Sequence, residues 1–462
     1  MDDVTIAGGR RMAPPMIGSI PFRPFRDSGG VETFLDERAG EYRFYGSAKA
    51  ALRDGLAVLT HPGERVLVPS YLPDAVVEPM RELGLEPGFY AIDRNLSPDL
   101  GDLDRRIDDR TAAVMSVAYF GASQPGIEAL VSLLEERGCA HVADAAHSPL
   151  SVVDGEPLGT LGDVGIASLP KLFPVPDGGL LFLSADVADR FVPSTLTGVR
   201  GSYCVDDVRF LLKSPIRDPL GGSGPLARLG GSGPLARLGG SGPLARLGGS
   251  GPLARLGANS PLARLGGSPL SDMGTDGSNG PRERYLAART SMSRLTLDTL
   301  RGIDPEDVVR ARRRNYAVWR RALAGRPDLE FLLGELPEGI CPQACPVVAD
   351  DPDAFLTELS GVDGVHRWPR LPTAVRSEPT YGTARWLAEH VIVLPVHQHL
   401  DVRELSATAR RLGRSVEGLA ERPRGPTSSA PNRADHRSPA TDREPPRIEL
   451  GSDGQSSGHQ RS

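Results

Sequence analysis

Asp144 closes the apolar run His141-Val-Ala-Asp144, and Lys171 follows 27 residues later, shortly before the pair Gly178-Gly179. Only three of the 53 lysine and arginine residues are lysines: Lys49, Lys171 and Lys213. Arginine can take over nearly every surface role of lysine, but its guanidinium cannot become the neutral amine that attacks a carbonyl. In a chain that has otherwise dispensed with lysine, each survivor poses a chemical question. A carboxylate to hold a pyridinium nitrogen and an amine to bond an aldehyde are the protein's share of pyridoxal 5'-phosphate (PLP) chemistry.

That cofactor asks four things of a protein: an amine, an acid at the ring nitrogen, donors for the phosphate, and something flat against the ring. Lys171 offers the amine, which must be partly desolvated to be neutral and nucleophilic. Asp144 offers the acid; as a carboxylate it keeps the ring nitrogen protonated, so the ring can draw electrons. His147 is placed to donate to the phenolic oxygen or to edge the pocket, and a packed or helix-capping histidine is the plain alternative. For the phosphate, Tyr45-Gly46-Ser47-Ala48 puts small residues at a helix start. Free N–H groups and the positive helix end attract an anion there, although the same pattern also makes an ordinary N-cap. Ser168 could add a phosphate contact, and Gly178-Gly179 allows close backbone approach or is simply a turn.

These residues need a frame that brings them together. Arg65–Pro69, Pro87–Asp93, Ala112–Ala118, His141–Asp144 and Gly179–Leu183 are short apolar runs that read as strands. Ser47–Leu59, Pro73–Leu83 and Ile127–Arg137 are amphipathic and read as helices. Alternation at this spacing means βαβ units: an α/β fold with a mainly parallel sheet and helices on both faces. Ligands of such sheets bind beyond the carboxyl ends of the strands, and Asp144 falls on that edge.

Several segments in order carry a family resemblance. Gly46-Ser47-Ala48 opens the first large helix, and Gly63-Glu-Arg-Val-Leu-Val-Pro69-Ser70-Tyr71 follows. Tyr119-Phe120-Gly121, Asp144-Ala-Ala-His147 and Gly159-Thr-Leu-Gly162-Asp163-Val-Gly165 come next, and Leu394-Pro-Val-His397 closes the pattern. In these segments the chain resembles the DegT/StrS family of PLP-dependent sugar aminotransferases, over roughly residues 30–205 and again near 285–415. The resemblance implies a fold-type I PLP-transferase large domain with a smaller α+β C-terminal domain, working as a homodimer with a shared site. It implies transfer of an amino group from glutamate or glutamine to a keto sugar carried on a nucleotide. By it, Lys171 would bond the cofactor's aldehyde and shuttle the proton at the substrate carbon. Asp144 would partner the pyridine nitrogen, His147 would contact the cofactor's oxygen, and Gly46, Ser47, Ala48 and Ser168 would surround the phosphate. Three positions depart from the family pattern. The step from Ser168 to Lys171 is short, and Pro73 stands where a ring-stacking aromatic is usual, leaving Tyr71 or Phe120 to substitute. Ser291-Met-Ser-Arg294 is the nearest counterpart of the loop that reaches into the neighbouring subunit's site.

The remaining chain bounds the function. A net charge of -6 without basic blocks gives no reason to expect nucleic acid. No apolar run approaches the roughly 18 residues of a membrane span, and the N-terminus lacks a secretion pattern, so a cytoplasmic protein is expected. Cys341 and Cys345 have no neighbouring ligands to complete a metal site and read as ordinary loop thiols. In residues 221–268 the unit Gly-Pro-Leu-Ala-Arg-Leu-Gly recurs every nine residues. Each unit has too few apolar side chains to offset its ordering entropy, so a flexible insertion is expected; a partner-binding motif in several copies is the alternative. Leu300–Leu323 reads as a helix whose basic run Arg310-Ala-Arg-Arg-Arg-Asn forms a solvated face. A strand at Cys345–Ala349, a helix at Pro352–Leu359, a strand at His390–Pro395 and a helix at Val402–Leu412 make the small α+β unit. The expected division is an N-terminal arm (1–30), a PLP-binding domain (31–205), the repeat insertion (206–280), a connecting helix with the small domain (281–420), and a disordered tail (421–462). Three readings stay open: amino transfer to a sugar-like carbonyl, another PLP reaction such as dehydration or desulfuration, and a binding or regulatory protein without catalysis. Retention of both Lys171 and Asp144 speaks against the third.

Overall fold

The computed structural model describes residues 30–204, Asp207, Phe210 and 291–414. The expected N-terminal arm, almost all of the repeat insertion, Lys213 and the expected tail lie outside the described residues.

Along the first part run β1 (Glu41–Tyr45), β2 (Arg65–Pro69), β3 (Glu86–Tyr90), β4 (Thr111–Val117) and β5 (Ala140–Asp144). The short hairpin β6 (Val152–Val153) and β7 (Glu156–Pro157) follows, then β8 (Val164–Ser168) and β9 (Gly179–Leu183). Seven of them form one sheet in the order β1-β9-β8-β5-β4-β2-β3. β3, β2, β4, β5 and β8 are parallel neighbours, whereas β9 runs antiparallel to both β8 and β1. Parallel strands are covered on both faces and so read as near-continuous apolar runs, which is why β2, β4 and β5 were legible.

Two strands escape that criterion for identifiable reasons. β1, Glu-Tyr-Arg-Phe-Tyr, lies at the sheet edge and buries only Tyr45. β8 contains Gly165, where a Cβ would stand 1.7 Å from the Gly159 carbonyl oxygen. The glycine there reflects close packing rather than a turn.

Two expected helices are divided. Pro73–Leu83 becomes a 3-10 turn at Asp74–Val76 and a helix at Glu78–Glu82, with Pro79 in the second helix's first turn. Proline fits there but would break the interior of one longer helix. Likewise Leu300–Leu323 is two helices, Arg294–Arg301 and Pro305–Leu323. The Asp304 side chain accepts from the Glu306 N–H and Pro305 takes the first helical position, a start signal for a new helix.

A second, antiparallel sheet holds β10 (Leu329–Phe331), β11 (Ala344–Ala349), β12 (His366–Arg367) and β13 (Val391–Pro395), in the order β10-β11-β13-β12. Cys341 lies in the loop before β11, as expected, whereas Cys345 lies within β11; both are buried. Val391 and Val393 pack in the same apolar cluster as Val66 and Val114, and the Tyr381 hydroxyl donates to the Phe89 carbonyl at 2.9 Å. The two sheets therefore share a core, which fixes residues near 366–398 against the carboxyl edge of the first sheet.

Candidate active site

Asp144 is the last residue of β5, in register with Val117 on β4 and Ile166 on β8. Its carboxylate is buried and accepts from the Ala146 N–H at 2.9 Å. Burial pushes its pKa up, opposed by the positive charge of Lys171. Lys171 sits in a single 3-10 turn, Leu169–Lys171, that continues β8 past the sheet edge. Desolvation pushes its pKa down and the Asp144 carboxylate resists that shift. By surface area Lys171 is nonetheless exposed. The proposed amine and acid thus come from neighbouring strand ends and feel each other's charge.

His147 is buried in the turn after β5. The Phe120 backbone N–H donates to its Nδ1 at 3.2 Å. A backbone N–H cannot accept, so a neutral ring carries its proton on Nε2 and can donate from there. Burial is the main cause of its strongly depressed pKa, with the charges of Lys171 and His366 adding to it.

The helix start is assembled by close backbone packing. Ser47 is the N-cap of helix Ala48–Leu59, its hydroxyl accepting from the Ala50 N–H at 3.2 Å. The Gly178 N–H donates to the Gly46 carbonyl at 2.8 Å. A Cβ on Gly179 would lie 2.3 Å from the Ser47 carbonyl carbon and 2.4 Å from the Ala48 nitrogen. The two glycines are therefore more than a turn: they let the lysine loop lie directly on the start of this helix. Ser168 pairs with Gly179 across β8 and β9, half-buried at the same edge. Lys49, by contrast, bonds Glu78 at 3.1 Å.

The lysine loop is tied from a distance as well. Asp177 accepts from the Ser293 N–H (3.0 Å), the Ser293 hydroxyl (2.8 Å) and Arg200 (3.2 Å). Arg312, expected on a solvated face, is 2% exposed. Its Nε donates to Gln398 Oε1 (2.9 Å), Nη1 to the Pro342 and Gln343 carbonyls (3.2 and 3.1 Å), and Nη2 to the Leu172 carbonyl (3.1 Å). Gln398 Nε2 also donates to that carbonyl at 2.9 Å. Two bonds thus hold the residue next to Lys171. A signal was present in the sequence: Arg312 lies on the stripe Val308, Arg312, Tyr316, Trp319 and Leu323, the buried face of its helix.

Tyr71 is fully buried, its hydroxyl donating to the Trp368 carbonyl at 2.6 Å, while the Tyr119 hydroxyl donates to the Tyr71 carbonyl at 2.9 Å. The Trp368 ring lies 5.2 Å from Tyr71, 5.1 Å from Phe120 and 5.2 Å from His147. Sequence reasoning missed Trp368, because nothing in Arg367-Trp368-Pro369 marks it as a neighbour of residues nearly 300 positions away.

Residues 45–192 match the model of the DegT/DnrJ/EryC1/StrS aminotransferase family. The chain is 33% identical over 147 residues to a dTDP-4-dehydro-2,3,6-trideoxy-D-glucose 4-aminotransferase of Saccharopolyspora spinosa, covering 31% of this chain and 38% of that protein. It is 30% identical over 128 residues to a GDP-perosamine synthase of Vibrio cholerae, covering 27% and 35%. The match spans less than two fifths of the length of either relative. An aminotransferase structure from Streptoalloteichus hindustanus superposes with a TM-score of 0.54 at 22% identity, covering 86% of this chain and 92% of that one. A sugar aminotransferase from Micromonospora echinospora gives 0.54 at 17% identity, covering 85% and 93%. These likenesses extend over both sheets and show the fold-type I α/β architecture. The segment that contains the helix start, Asp144, His147 and Lys171 is the part of this chain that matches the DegT/DnrJ/EryC1/StrS aminotransferase family model.

Proposed function

We propose that the protein is a PLP-dependent aminotransferase moving an amino group from an amino acid, glutamate or glutamine, to a keto sugar or similar carbonyl compound. The observation that carries this reading is the pairing of Lys171 and Asp144 at adjacent strand ends, each shifting the other's protonation. The residues present fit the cofactor. The donor set is an amine whose ammonium form is disfavoured, a buried acid, and the start of a 12-residue helix against which Gly179 leaves no room for a side chain. The named activity of the Saccharopolyspora spinosa relative, a 4-aminotransferase, supports the reaction class.

When bound, PLP supplies a ring that withdraws electrons from the carbon carrying the amino group. Lys171 would hold that ring's aldehyde end, and its Nζ, as a neutral amine, would take up and return the proton at the substrate carbon. Its lowered pKa suits both tasks, because a neutral amine is the nucleophile and the base. Asp144 keeps the ring nitrogen protonated, its carboxylate oriented by the Ala146 N–H. His147, with Nδ1 taken by the Phe120 N–H, would donate from Nε2 to the ring oxygen. Gly46, Ser47 and Ala48 at the helix start, with Ser168 across from Gly179, surround the phosphate, where the positive helix end favours an anion. We propose a homodimer with a shared site, located in the cytoplasm. No helix among the described residues is long and apolar enough to cross a membrane.

Purified protein incubated with PLP should turn yellow, and borohydride should fix the cofactor on the peptide carrying Lys171. Adding glutamate should then shift the absorbance of unreduced protein toward the pyridoxamine form. A colourless protein that takes up no added PLP would sink the proposal.

A further inference from the structure

The flat surface that the cofactor ring needs is missing from the positions nearest in sequence. Pro73 has no aromatic ring, and Tyr71, Tyr119 and Phe120 are 0%, 1% and 1% exposed, so none offers an aromatic face to a ligand. One ring of this nest remains partly open: Trp368, on the segment leaving β12. It meets Tyr71, Tyr119, Phe120 and His147 at interplanar angles of 81°, 77°, 69° and 60°. Among the described residues no ring stacks parallel on it, and part of it stays open to solvent. Its backbone is held by the Tyr71 hydroxyl at 2.6 Å. Its ring lies 5.2 Å from His147, which stands within electrostatic reach of Lys171.

We infer that Trp368, delivered from the second sheet, is the wall against which the cofactor's pyridine ring stacks, taking the place left without an aromatic at Pro73. The inference rests on the proposed PLP chemistry. An indole face is the largest flat surface a side chain offers, and its preferred partner is an offset, electron-poor ring such as a pyridinium. The Trp368 wall also couples the second sheet to the cofactor, because the carbonyl of the same residue anchors Tyr71.

The test is a PLP titration of the cofactor-free protein, reading bound-cofactor absorbance and tryptophan emission together. Of the other two tryptophans, Trp319 is fully buried in the second core and Trp386 stacks on His390. PLP should therefore quench a component of emission that is absent from Trp368→Phe. That variant keeps a flat ring and should bind PLP within about threefold of the parent. Trp368→Leu, checked for folding by its melting temperature, should bind about tenfold more weakly, the worth of one lost stacking contact plus its burial. Quenching unchanged by Trp368→Phe, or parental affinity in folded Trp368→Leu, would overturn the inference while leaving the PLP reading intact. Quenching of Trp368 by UDP or dTDP but not by PLP would overturn it too, making the indole a wall for the substrate's base. Protein that shows no bound-cofactor absorbance at all would defeat the functional reading itself and the inference with it.

Discussion

The stretch 45–192 and the stretch 291–414 meet at one strand edge with different kinds of residue. The first supplies groups able to react: an amine, an acid, an imidazole and a helix start, each at the end of a local motif. The second supplies groups that hold them: Arg312 and Gln398 on the Leu172 carbonyl, Ser293 on Asp177, and Trp368 on the aromatic nest. Reactive residues here are carried by short local patterns, whereas positioning residues are spread over distant elements. The family match covers only the first kind, and the shared fold extends over both.

The sharpest way to break this contrast is Gly179→Ala. Its new Cβ would collide with main chain rather than a movable side chain, so a loss of roughly 3 kcal/mol or more is expected, with loss of PLP uptake. Parental melting and cofactor absorbance would show that the helix start and lysine loop are not packed as described. Next is Arg312→Met, which leaves the Pro342 and Gln343 carbonyls without this donor and loosens Leu172. A cost of about 2–4 kcal/mol is expected, along with weaker PLP binding. An equally stable variant with parental PLP affinity would mean that the second stretch does not position the first.

The pH dependence of stability sharpens the comparison further. Burial holds His397 at about 3 and His399 at about 4, and His141 and His147 are also depressed. The unfolded chain takes up protons on these rings below about pH 6.5 while the folded chain does not. Stability is therefore fully present above that pH and falls on acidification, by up to about 1.4 kcal/mol per pH unit for each ring, until the folded pKa values are reached. Melting temperatures at pH 7, 6 and 5 should fall in that order. Replacing His397 and His399 with glutamine should flatten the slope; an unchanged slope would assign it to His141 and His147. The smallest effect belongs to Lys49→Ala, which breaks the half-buried pair with Glu78. It should cost about 1 kcal/mol or less and leave borohydride fixation on Lys171 untouched. Loss of fixation would show that Lys49, not Lys171, holds the aldehyde.

Much of the fold could be read in advance where a physical signal is local. β2 and β9 and the helix Ile127–Arg137 fall on the apolar runs and amphipathic periods that define them. β1 was missed because an edge strand has no need to be apolar, and β8 because its Gly165 serves packing. The helix breaks at Pro79 and at Asp304-Pro305 carry ordinary start signals that the longer periodic pattern hid. In the site, Lys171, Asp144, His147 and Gly46-Ser47 stood out through residue type and position at element ends. Arg312 was misread because a run of arginines suggests solvent, although its place on an apolar stripe argued otherwise.

What the sequence determined by itself was the chemistry on offer: one lysine before a glycine pair, one aspartate closing a strand, one serine capping a helix. Local patterns suffice there because strand ends and helix starts are set by residues within a few positions. What only the tertiary structure decided was how those groups are held, which burial they feel, and which ring stands beside them. Arg312 reaches Leu172 across 140 positions, and Trp368 reaches Tyr71 across 297. Such contacts come from the packing of two sheets on a shared core, and no spacing along the chain encodes that.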